Sequence, residues 1–420
     1  MDVRIRPHKL SGEVIVPPSK SLAHRAIICA SLAQGTSVIS NVSYSKDILA
    51  TISAMESLGA IIDRNGDTLT ITGSNPIFKN THTIDANESG STLRFLIPIA
   101  LVFNDNATFV GHNRLVKRPL DVYFDIFDKL NINYSHNSYL PLTVNNSLKS
   151  GDYIITNNSS SQFITGLLFA LPMLNGDSRI ILTEKLESIG YINLTLDLLQ
   201  KFGIKIIFKD NMFIVPGSQT YKPFNYKVEG DYSQAAFFFV AQALGNDIKV
   251  SGLTDKSLQG DKEIVNDLIK AGCNFKYDNG SYTLISKELR PVELDMSQTP
   301  DLGPILSVLF TQINGKSSLV NAERLRIKEC DRITDVLTEL KKCNVNCSET
   351  KDSLTIQGIS NINGATLDSH NDHRLVMSFA IMSTVSNEDI IIKNAGAVSK
   401  SFPNFFDVFK ALKGDIEIYE

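Results

Sequence analysis

A pattern of apolar and polar positions recurs along the chain at intervals of about 70 residues. In each interval a helix with apolar residues at helical spacing, such as Ile264, Leu268 and Ile269, ends at a Gly or an Asn and is followed by an apolar strand. Successive helix ends are separated by 72, 72, 69, 72 and 70 residues and lie at Gly59, Asn131, Gly203, Gly272, Asn344 and Gly414. Because Gly and Asn tolerate the left-handed conformation that ends many helices, this near-constant period indicates internal duplication.

Each of the six repeats has the same predicted order of helix, strand, helix, strand and strand. The first helix is apolar on nearly all sides, as in residues 163–174, 235–244 and 302–310. A helix of this composition is normally buried inside a layer of other elements. The last two strands form a hairpin, for which Asn279-Gly280 is a strong turn signal. The pattern therefore predicts an α/β (α+β) fold of six repeats with buried helices inside sheets.

The two ends of the chain predict how the repeats are grouped. The sixth repeat stops after a strand at 416–418 and lacks its final strand, whereas the chain begins with a spare strand at 12–16. We therefore expect strand 12–16 to complete the last repeat. This arrangement predicts two lobes of three repeats each, one formed by residues 18–227 and the other by residues 1–17 together with 228–420.

Composition narrows the class of protein. The 420 residues carry a net charge of −4, with 43% hydrophobic and 20% charged residues, which is ordinary for a globular protein and argues against a nucleic-acid-binding surface. No apolar run approaches the roughly 18–20 residues that cross a bilayer, and the N-terminus resembles neither a signal nor a transit peptide. The five cysteines match no zinc-binding spacing. We therefore expect a cytoplasmic protein without a membrane or nucleic-acid partner and without a metal. A monomer is the expected state, although composition does not determine it.

Polar residues precede the buried helices, where an apolar sequence has no local need for them. Ser, Asp and Gly are common helix caps, but Lys20 and Arg374 are cations at helix starts, where they oppose the helix dipole unless an anion binds between. The first set is Lys20-Ser21, Gly90-Ser91, Ser160-Ser161-Gln162, Asp231-Tyr232-Ser233, Asp301 and Asp372-His373-Arg374. A second set follows the strands after these helices, at Arg118, Ser188, the run 328–332 and Lys400. Together they predict a pair of substrates with several negative charges.

The run 325–332 is the densest group of charges, with five charges in eight residues. A run of charges is more often a solvated face than a site. This one lies between a strand and a helix, where α/β proteins commonly bind ligands. Its position therefore favours a functional interpretation.

Seven separated motifs resemble those of the 5-enolpyruvylshikimate-3-phosphate synthases, a family of enolpyruvyl transferases. They are Pro-Ser-Lys-Ser at 18–21, Ser-Gly-Ser-Thr-Leu-Arg at 89–94, Lys-Arg-Pro at 117–119, Ser-Ser-Gln-Phe at 160–163, Lys-Glu-Cys-Asp-Arg at 328–332, Asn-Asp-His-Arg at 371–374 and Lys-Ser-Phe-Pro at 400–403. Their order and spacing are specific, and the resemblance covers the chain from Val14 to Phe406. It implies a two-lobed fold of six βαβαββ repeats, three per lobe, that closes over its substrates. It also implies transfer of the enolpyruvyl group of phosphoenolpyruvate to 3-phosphoshikimate, with release of phosphate and without a cofactor.

The resemblance also implies the residues of the site. Those for phosphoenolpyruvate are Lys20, Gly90, Arg118, Gln162, Arg332, Arg374 and Lys400, and those for 3-phosphoshikimate are Ser21, Arg25, Ser160, Ser161, Gln162, Ser188, Asp301 and Lys328. Asp301 is the expected acceptor of the hydroxyl proton. Glu329 is expected to exchange a proton with the methylene carbon, with Lys328 and Lys20 tuning it. The family further implies that glyphosate competes at this site, where Gly90 leaves room for it.

Several positions depart from the usual family pattern. Glu88 stands where an Asn is usual, Phe95 where Pro is frequent, and Arg324 where some members have an Asn that contacts the shikimate phosphate. Cys330 replaces a Ser or Thr, a change expected to be neutral, although a thiol among cations can be unusually reactive.

Two other functions remain as alternatives. One is the UDP-N-acetylglucosamine enolpyruvyl transferase, which is expected to carry a reactive Cys where this chain has 113–118 without one. The other is a non-catalytic anion-binding scaffold, against which the presence of both Asp301 and Glu329 argues. The cyclase of RNA 3′-phosphates, distantly similar in its repeat, is disfavoured by the acidic net charge.

Overall fold

The computed structural model describes residues 1–73, 82–103, 106–156, 160–184, 186–359 and 361–419. Over these ranges the α-helices are α1 (Lys20–Leu32), α2 (Lys46–Ser57), α3 (Gly90–Phe103), α4 (Asp121–Leu130), α5 (Ser161–Ala170), α6 (Ile189–Lys201), α7 (Tyr232–Ala243), α8 (Glu263–Lys270), α9 (Gly303–Phe310), α10 (Thr334–Lys342), α11 (His373–Met382) and α12 (Phe405–Ala411).

The strands over the same ranges are β1 (Asp2–Arg6), β2 (Ser11–Ile15), β3 (Gly35–Ser40), β4 (Ile61–Asn65), β5 (Thr68–Gly73), β6 (His82–Asp85), β7 (Asn106–Val110), β8 (Asn133–His136), β9 (Leu142–Asn145), β10 (Asp152–Ile155), β11 (Ser178–Leu182), β12 (Ile207–Lys209), β13 (Met212–Val215), β14 (Tyr226–Lys227), β15 (Asp247–Ser251), β16 (Cys273–Asp278), β17 (Ser281–Lys287), β18 (Glu293–Asp295), β19 (Lys316–Val320), β20 (Asn346–Glu349), β21 (Leu354–Gln357), β22 (Ala365–Asp368), β23 (Ile390–Lys393) and β24 (Asp415–Tyr419).

Contacts between Cα atoms divide the chain into two compact units. The N unit is Lys20–Val228, and the C unit is Met1–Ser19 together with Glu229–Glu420. Among the described residues, the sheets of the N unit have the strand orders β14-β3-β5-β4, β6-β7-β9-β8 and β10-β11-β13-β12, and those of the C unit have the orders β16-β17-β15-β2, β18-β19-β21-β20 and β22-β23-β1-β24. Each sheet combines one parallel pair with two antiparallel pairs, as in β10-β11-β13-β12. The predicted α/β fold class is therefore confirmed.

The expectation that strand 12–16 completes the last sheet is wrong. That segment, as β2, pairs in parallel with β15, and the last sheet is instead completed by β1, which lies between β23 and β24. In β1 the side chains of Val3 and Ile5 are buried while their neighbours are polar, which suits a strand with one face on a core. The alternation of charged and apolar residues at 2–6 was therefore the signal of a strand.

The predicted helix ends adopt the left-handed conformation at five of the six positions. The φ angles are 97° at Gly59, 54° at Asn131, 84° at Gly203, 100° at Gly272 and 66° at Asn344. At the sixth helix end the positive φ, 68°, falls on Lys413, one residue before the expected Gly414.

Each unit contains buried helices, and many of the candidate residues lie at the starts of these helices. Every residue of α7, α9 and α11 is buried, and in the N unit α3 packs against α5 while α1 packs against α2 and α6. A polar group at the first turn of such a helix must find its partners inside the protein, because burial without a hydrogen bond is costly. No helix of the described ranges is long and apolar enough to cross a membrane.

Candidate active site

Arg332 is the centre of the charged cluster in the C unit. Its side chain is only 1% exposed and precedes α10. Its guanidinium donates to Asp372 (Nε to Oδ2, 2.7 Å), to Asp301 (Nη1 to Oδ1, 2.9 Å) and to Glu329 (Nη2 to Oε2, 2.6 Å). A second bond from Nη2 reaches Oδ1 of Asp372 at 3.2 Å. The planar fork of an arginine can hold several carboxylates in fixed relative positions, which a lysine cannot do.

Asp301 lies in the turn before α9 and contacts three cations. Besides Arg332, its Oδ1 lies 3.1 Å from Nζ of Lys328, and its Oδ2 lies 3.1 Å from Nη2 of Arg374. Burial on its own would raise the pKa of Asp301, but Arg374, Lys328 and Arg332 hold that pKa well below its ordinary value of 3.8. Asp301 is therefore a carboxylate.

Arg374 is positioned by groups from the starts of two buried helices. Its backbone N–H donates to Oδ1 of Asp372, the N-cap of α11, at 2.8 Å. Its Nη2 donates to Oγ of Ser233, in the first turn of α7, at 2.6 Å. The helix starts of α7, α9 and α11 therefore meet around Asp301 and Arg374.

Lys400 is attached to the loop before α11. It is nearly buried and donates from Nζ to the backbone oxygen of Asn371 at 2.7 Å. His370 and Asn371 both have positive φ, 50° and 58°, so this loop turns sharply just before Asp372. The loop places the Lys400 contact one residue before the helix cap.

The charged run separates into two groups. Arg326 and Asp331 pair with each other at 3.0 Å, and Asp331 accepts from the backbone N–H groups of Ile333 and Thr334 at the start of α10. These two charges therefore have a structural role. The other three members, Lys328, Glu329 and Arg332, form the cluster around Asp301.

The pKa of Lys328 is lowered to about 8. Burial is the main cause of this decrease. The negative charge of Asp301 raises the pKa of Lys328, and the positive charge of the nearby Arg324 lowers it further. Arg324, whose role the sequence left open, therefore acts electrostatically on Lys328.

The surroundings of Cys330 bear on whether its thiol is reactive. Its Sγ is 3.5 Å from Oδ2 of Asp372, and the residue is 1% exposed. Burial and the charge of Asp372 raise the pKa of the thiol. The neutral interpretation of Cys330 is therefore favoured, because burial and the Asp372 carboxylate both disfavour the reactive thiolate.

In the N unit, Lys20 is the first residue of α1 and forms an ion pair with α2. Its Nζ lies 2.7 Å from Oδ2 of Asp47, with 19% and 13% of the two side chains exposed. Sequence reasoning missed Asp47, because an acidic residue in the first turn of a helix reads as an ordinary cap.

Arg25 ties α1 to α6. Its guanidinium donates to the backbone oxygens of Ser21 (2.7 Å) and Tyr191 (3.1 Å) and to Oγ1 of Thr195 (2.9 Å). Burial lowers the pKa of Arg25 to about 10. Ser188 is the buried N-cap of α6, and its carbonyl accepts from the N–H of Tyr191 at 3.1 Å. Three candidate residues for 3-phosphoshikimate, Ser21, Arg25 and Ser188, are therefore connected.

Gly90 begins α3 directly against two arginines. A methyl group in place of its hydrogen would lie 2.6 Å from Nη1 of Arg118 and 3.1 Å from Nη1 of Arg94. The absence of a side chain therefore allows both guanidinium groups to approach the start of the helix.

Gln162 is fixed in orientation by α3. Its Oε1 accepts from Nη1 of Arg94 at 2.8 Å, and its Nε2 donates to Oγ of Ser91 at 2.9 Å. Ser160 caps the same helix, α5, and Ser161 is its first residue. Arg94 was not among the predicted site residues, although it closes one of the motifs. Ser233 and Asp372 were in the polar set that precedes the buried helices, but the resemblance gave neither of them a substrate to bind.

The comparisons with known proteins agree with one another. The family described as EPSP synthase (3-phosphoshikimate 1-carboxyvinyltransferase) matches residues 5–409. A protein of Clostridium perfringens named 3-phosphoshikimate 1-carboxyvinyltransferase is 49% identical over 419 residues, which cover 98% of each chain. One of the same name from Clostridioides difficile is 48% identical, over 99% of this chain and 98% of that protein.

A solved structure shares the fold. EPSP synthase from Acinetobacter baumannii superposes with a TM-score of 0.82 over 100% of both chains, at 23% sequence identity. The family match and the two relatives confirm the resemblance identified from the motifs. The chain belongs to the EPSP synthase (3-phosphoshikimate 1-carboxyvinyltransferase) family.

Proposed function

We propose that this chain transfers the enolpyruvyl group of phosphoenolpyruvate to the 5-hydroxyl of 3-phosphoshikimate and releases inorganic phosphate. The observation that carries the proposal is the Asp301 carboxylate, which contacts Arg332, Lys328 and Arg374 at 2.9–3.1 Å. A proton acceptor among cations suits a reaction in which a hydroxyl attacks a substrate that carries both carboxylate and phosphate. A surface that only bound anions would gain nothing from Asp301 and Glu329.

The reaction proceeds by addition and elimination. Asp301 accepts the proton of the 5-hydroxyl as its oxygen bonds to C2 of phosphoenolpyruvate, and Glu329, protonated in the substrate complex, gives its proton to C3. In the second step C3 returns this proton to Glu329, the bond from C2 to the phosphate oxygen breaks, and the double bond forms again. The proton held by Asp301 leaves with the phosphate. Arg332, Arg374 and Lys400 stabilise the negative charge of the departing phosphate.

Substrate binding would itself adjust the base. The cations that hold the pKa of Asp301 low include two that we propose bind phosphoenolpyruvate, Arg332 and Arg374. When phosphoenolpyruvate binds, part of the positive charge of Arg332 and Arg374 interacts with the anionic substrate instead of with Asp301. The cations then stabilise the Asp301 carboxylate less, and the pKa of Asp301 rises. Asp301 therefore becomes a better proton acceptor once phosphoenolpyruvate is bound.

For the N unit we propose binding roles. Lys20, Gly90, Arg118 and Gln162 bind phosphoenolpyruvate, and the close approach of Arg118 to Gly90 supports this pairing. For 3-phosphoshikimate we propose Ser21, Arg25, Ser160, Ser161, Gln162, Ser188, Asp301 and Lys328. Besides this role, three N–H groups of Arg25 donate to protein oxygens and hold Ser21 and the start of α6 in place.

We also propose that the protein acts as a cytoplasmic monomer, without a cofactor, a nucleic-acid partner or a membrane partner. The acidic balance, a net charge of −4, supports the absence of a nucleic-acid partner.

The sister reaction on UDP-N-acetylglucosamine is the second candidate. The short helical turn Asn113–Lys117 contains no cysteine, and Cys29 is fully buried with its pKa raised by burial. These features disfavour it.

Purified protein should release inorganic phosphate only when both phosphoenolpyruvate and 3-phosphoshikimate are present.

Asp301→Asn should lower kcat at least about 100-fold, because it removes the proton acceptor. The control Asp278→Asn removes an exposed carboxylate in a hairpin of the same unit and should leave kcat unchanged. Phosphate release with UDP-N-acetylglucosamine in place of 3-phosphoshikimate, or full activity in Asp301→Asn, would contradict the proposal.

Gly90→Ala should raise the KM for phosphoenolpyruvate about ten-fold, the equivalent of about 1.4 kcal/mol, because the new methyl group displaces Arg118. Inhibition by glyphosate should weaken in parallel. The arginine end is flexible, so the midpoint of thermal unfolding should change little. The control Gly66→Ala has open space around it but a φ of +59°, so it should lower stability and leave KM unchanged. Equal KM values for wild type and Gly90→Ala would exclude this arrangement.

The pH profile should report Lys328. Its ammonium is charged below its pKa of about 8, so kcat/KM for 3-phosphoshikimate should fall as the pH rises through that value. In Lys328→Arg the charge persists to much higher pH, so this alkaline limb should disappear. A limb that stays in the same place in Lys328→Arg would assign it to another group.

A further inference from the structure

A buried row of polar side chains joins three helices of the N unit and is not used by the roles proposed above. Nδ1 of His24 (α1) lies 2.7 Å from Oγ1 of Thr51 (α2), which lies 2.7 Å from Oγ1 of Thr92 (α3). Thr92 in turn donates from Oγ1 to Oγ of Ser89, also at 2.7 Å. All four side chains are at most 1% exposed. The row ends at the residue directly before Gly90.

The hydrogen bonds of this row have one direction. A hydroxyl carries a single proton, so Thr92, which donates to Ser89, must accept from Thr51. Thr51 has then used its proton, and it must accept from Nδ1–H of His24. Burial and the charges of Lys20 and Arg25 lower the pKa of His24 well below its ordinary value, so the ring is neutral. Its proton therefore lies on Nδ1, and Nε2 is a buried atom without a hydrogen-bond partner among the described residues.

At its far end the row fixes the start of α3. Oγ of Ser89 also accepts from the backbone N–H of Thr92 at 3.2 Å, which makes Ser89 the cap of this helix. With its side chain held by two bonds from Thr92, the peptide that joins Ser89 to Gly90 has a fixed orientation. That peptide carries the N–H group at Gly90.

At the His24 end, the row lies one helical turn from the ion pair between Lys20 and Asp47. His24 lies four residues after Lys20 on α1, and Thr51 lies four residues after Asp47 on α2. Residues four apart lie on the same face of a helix, so the pairs Lys20–Asp47 and His24–Thr51 are two successive contacts between the same two helices. The row therefore connects the position of Lys20 to the position of Gly90.

Stability alone does not account for this row. Replacing both partners of a buried hydrogen bond by apolar groups of the same shape is often nearly neutral, and here the row leaves Nε2 of His24 without a partner at a cost. Apolar residues would fill the same space between these helices without that cost. A function in orientation explains why polar groups occupy it.

We propose that His24, Thr51 and Thr92 are positioning residues, which hold Lys20 and the start of α3 at Gly90 in the relative arrangement that binds phosphoenolpyruvate. This inference rests on the proposed function. The three side chains act through Lys20 and Ser89–Gly90. Their loss should therefore weaken the use of phosphoenolpyruvate more than that of 3-phosphoshikimate.

The test compares two substitutions of one residue. Thr51→Val keeps the shape and removes the hydroxyl, whereas Thr51→Ser keeps the hydroxyl and removes a methyl group. Thr51→Val should raise the KM for phosphoenolpyruvate about five-fold, with the KM for 3-phosphoshikimate changed less than two-fold, as expected for roughly one lost hydrogen bond. Thr51→Ser should restore the wild-type KM.

A control variant separates orientation from stability. Thr384 is buried in the C unit, donates to the backbone oxygen of Ile381 at 2.8 Å and accepts from Asn246 at 3.0 Å. Thr384→Val loses comparable hydrogen bonds, so it should lower the unfolding midpoint without changing either KM. If Thr51→Val behaves like Thr384→Val, or if Thr51→Ser is as impaired as Thr51→Val, the row is structural and the inference fails. If wild-type protein releases no phosphate from the two substrates, the proposed function fails, and the inference fails with it.

The direction of the row has its own readout. In ¹⁵N NMR spectra, His24 should show a protonated Nδ1 and an unprotonated Nε2, identified by the loss of its signals in His24→Asn. Observation of the Nε2–H form would contradict the hydrogen-bond direction from His24 to Ser89, and with it the link from His24 to Gly90.

Discussion

The contacts of Arg332 are the constraint on which the C-unit site depends. This almost fully buried guanidinium bonds Asp301, Glu329 and Asp372, so the starts of α9 and α11 and the segment before α10 are held by one side chain. Burial on its own would lower the pKa of Arg332, but the three carboxylates hold it above its ordinary value. A buried arginine with these three carboxylate partners stays charged. Asp301 and Glu329, the two groups that we propose transfer protons, are therefore held close to each other without any ligand.

The N unit uses polar contacts between helices for the same purpose. Arg25 and Thr195 join α1 to α6, and Thr195 also lies 3.2 Å from Thr165 of α5. From α5, Gln162 contacts α3, and from α3 the row through Thr51 returns to α1. These contacts form a closed ring through five helices that are otherwise held by apolar packing. Apolar packing alone tolerates small shifts, whereas hydrogen bonds restrict both distance and direction.

The fold was largely predictable from sequence because its signals are local. Left-handed helix ends and apolar helices leave sequence patterns that repeat with the period of the structure. Even at the sixth helix end, the left-handed residue, Lys413, is only one position from the predicted Gly414. The pairing of β1 with β23 and β24 was missed because strand partners far apart in sequence leave no local signal. Likewise Asp47, Ser233 and Asp372 look like ordinary helix caps, and only their contacts with Lys20, Arg374 and Arg332 distinguish them. The site residues inferred from the family motifs remain predictions until substrates are tested.

We expect the cations around Asp301 to keep it ionised in the free protein, ready to accept a proton when substrate binds. Titration of its side-chain carboxyl by ¹³C NMR, with the signal assigned by its loss in Asp301→Asn, measures this directly. The Asp301 signal should stay at the position of the ionised form as the pH is lowered through 3.8, the ordinary pKa of an aspartate. A midpoint near 3.8 or above would contradict it, because the cations around Asp301 would then not control its charge.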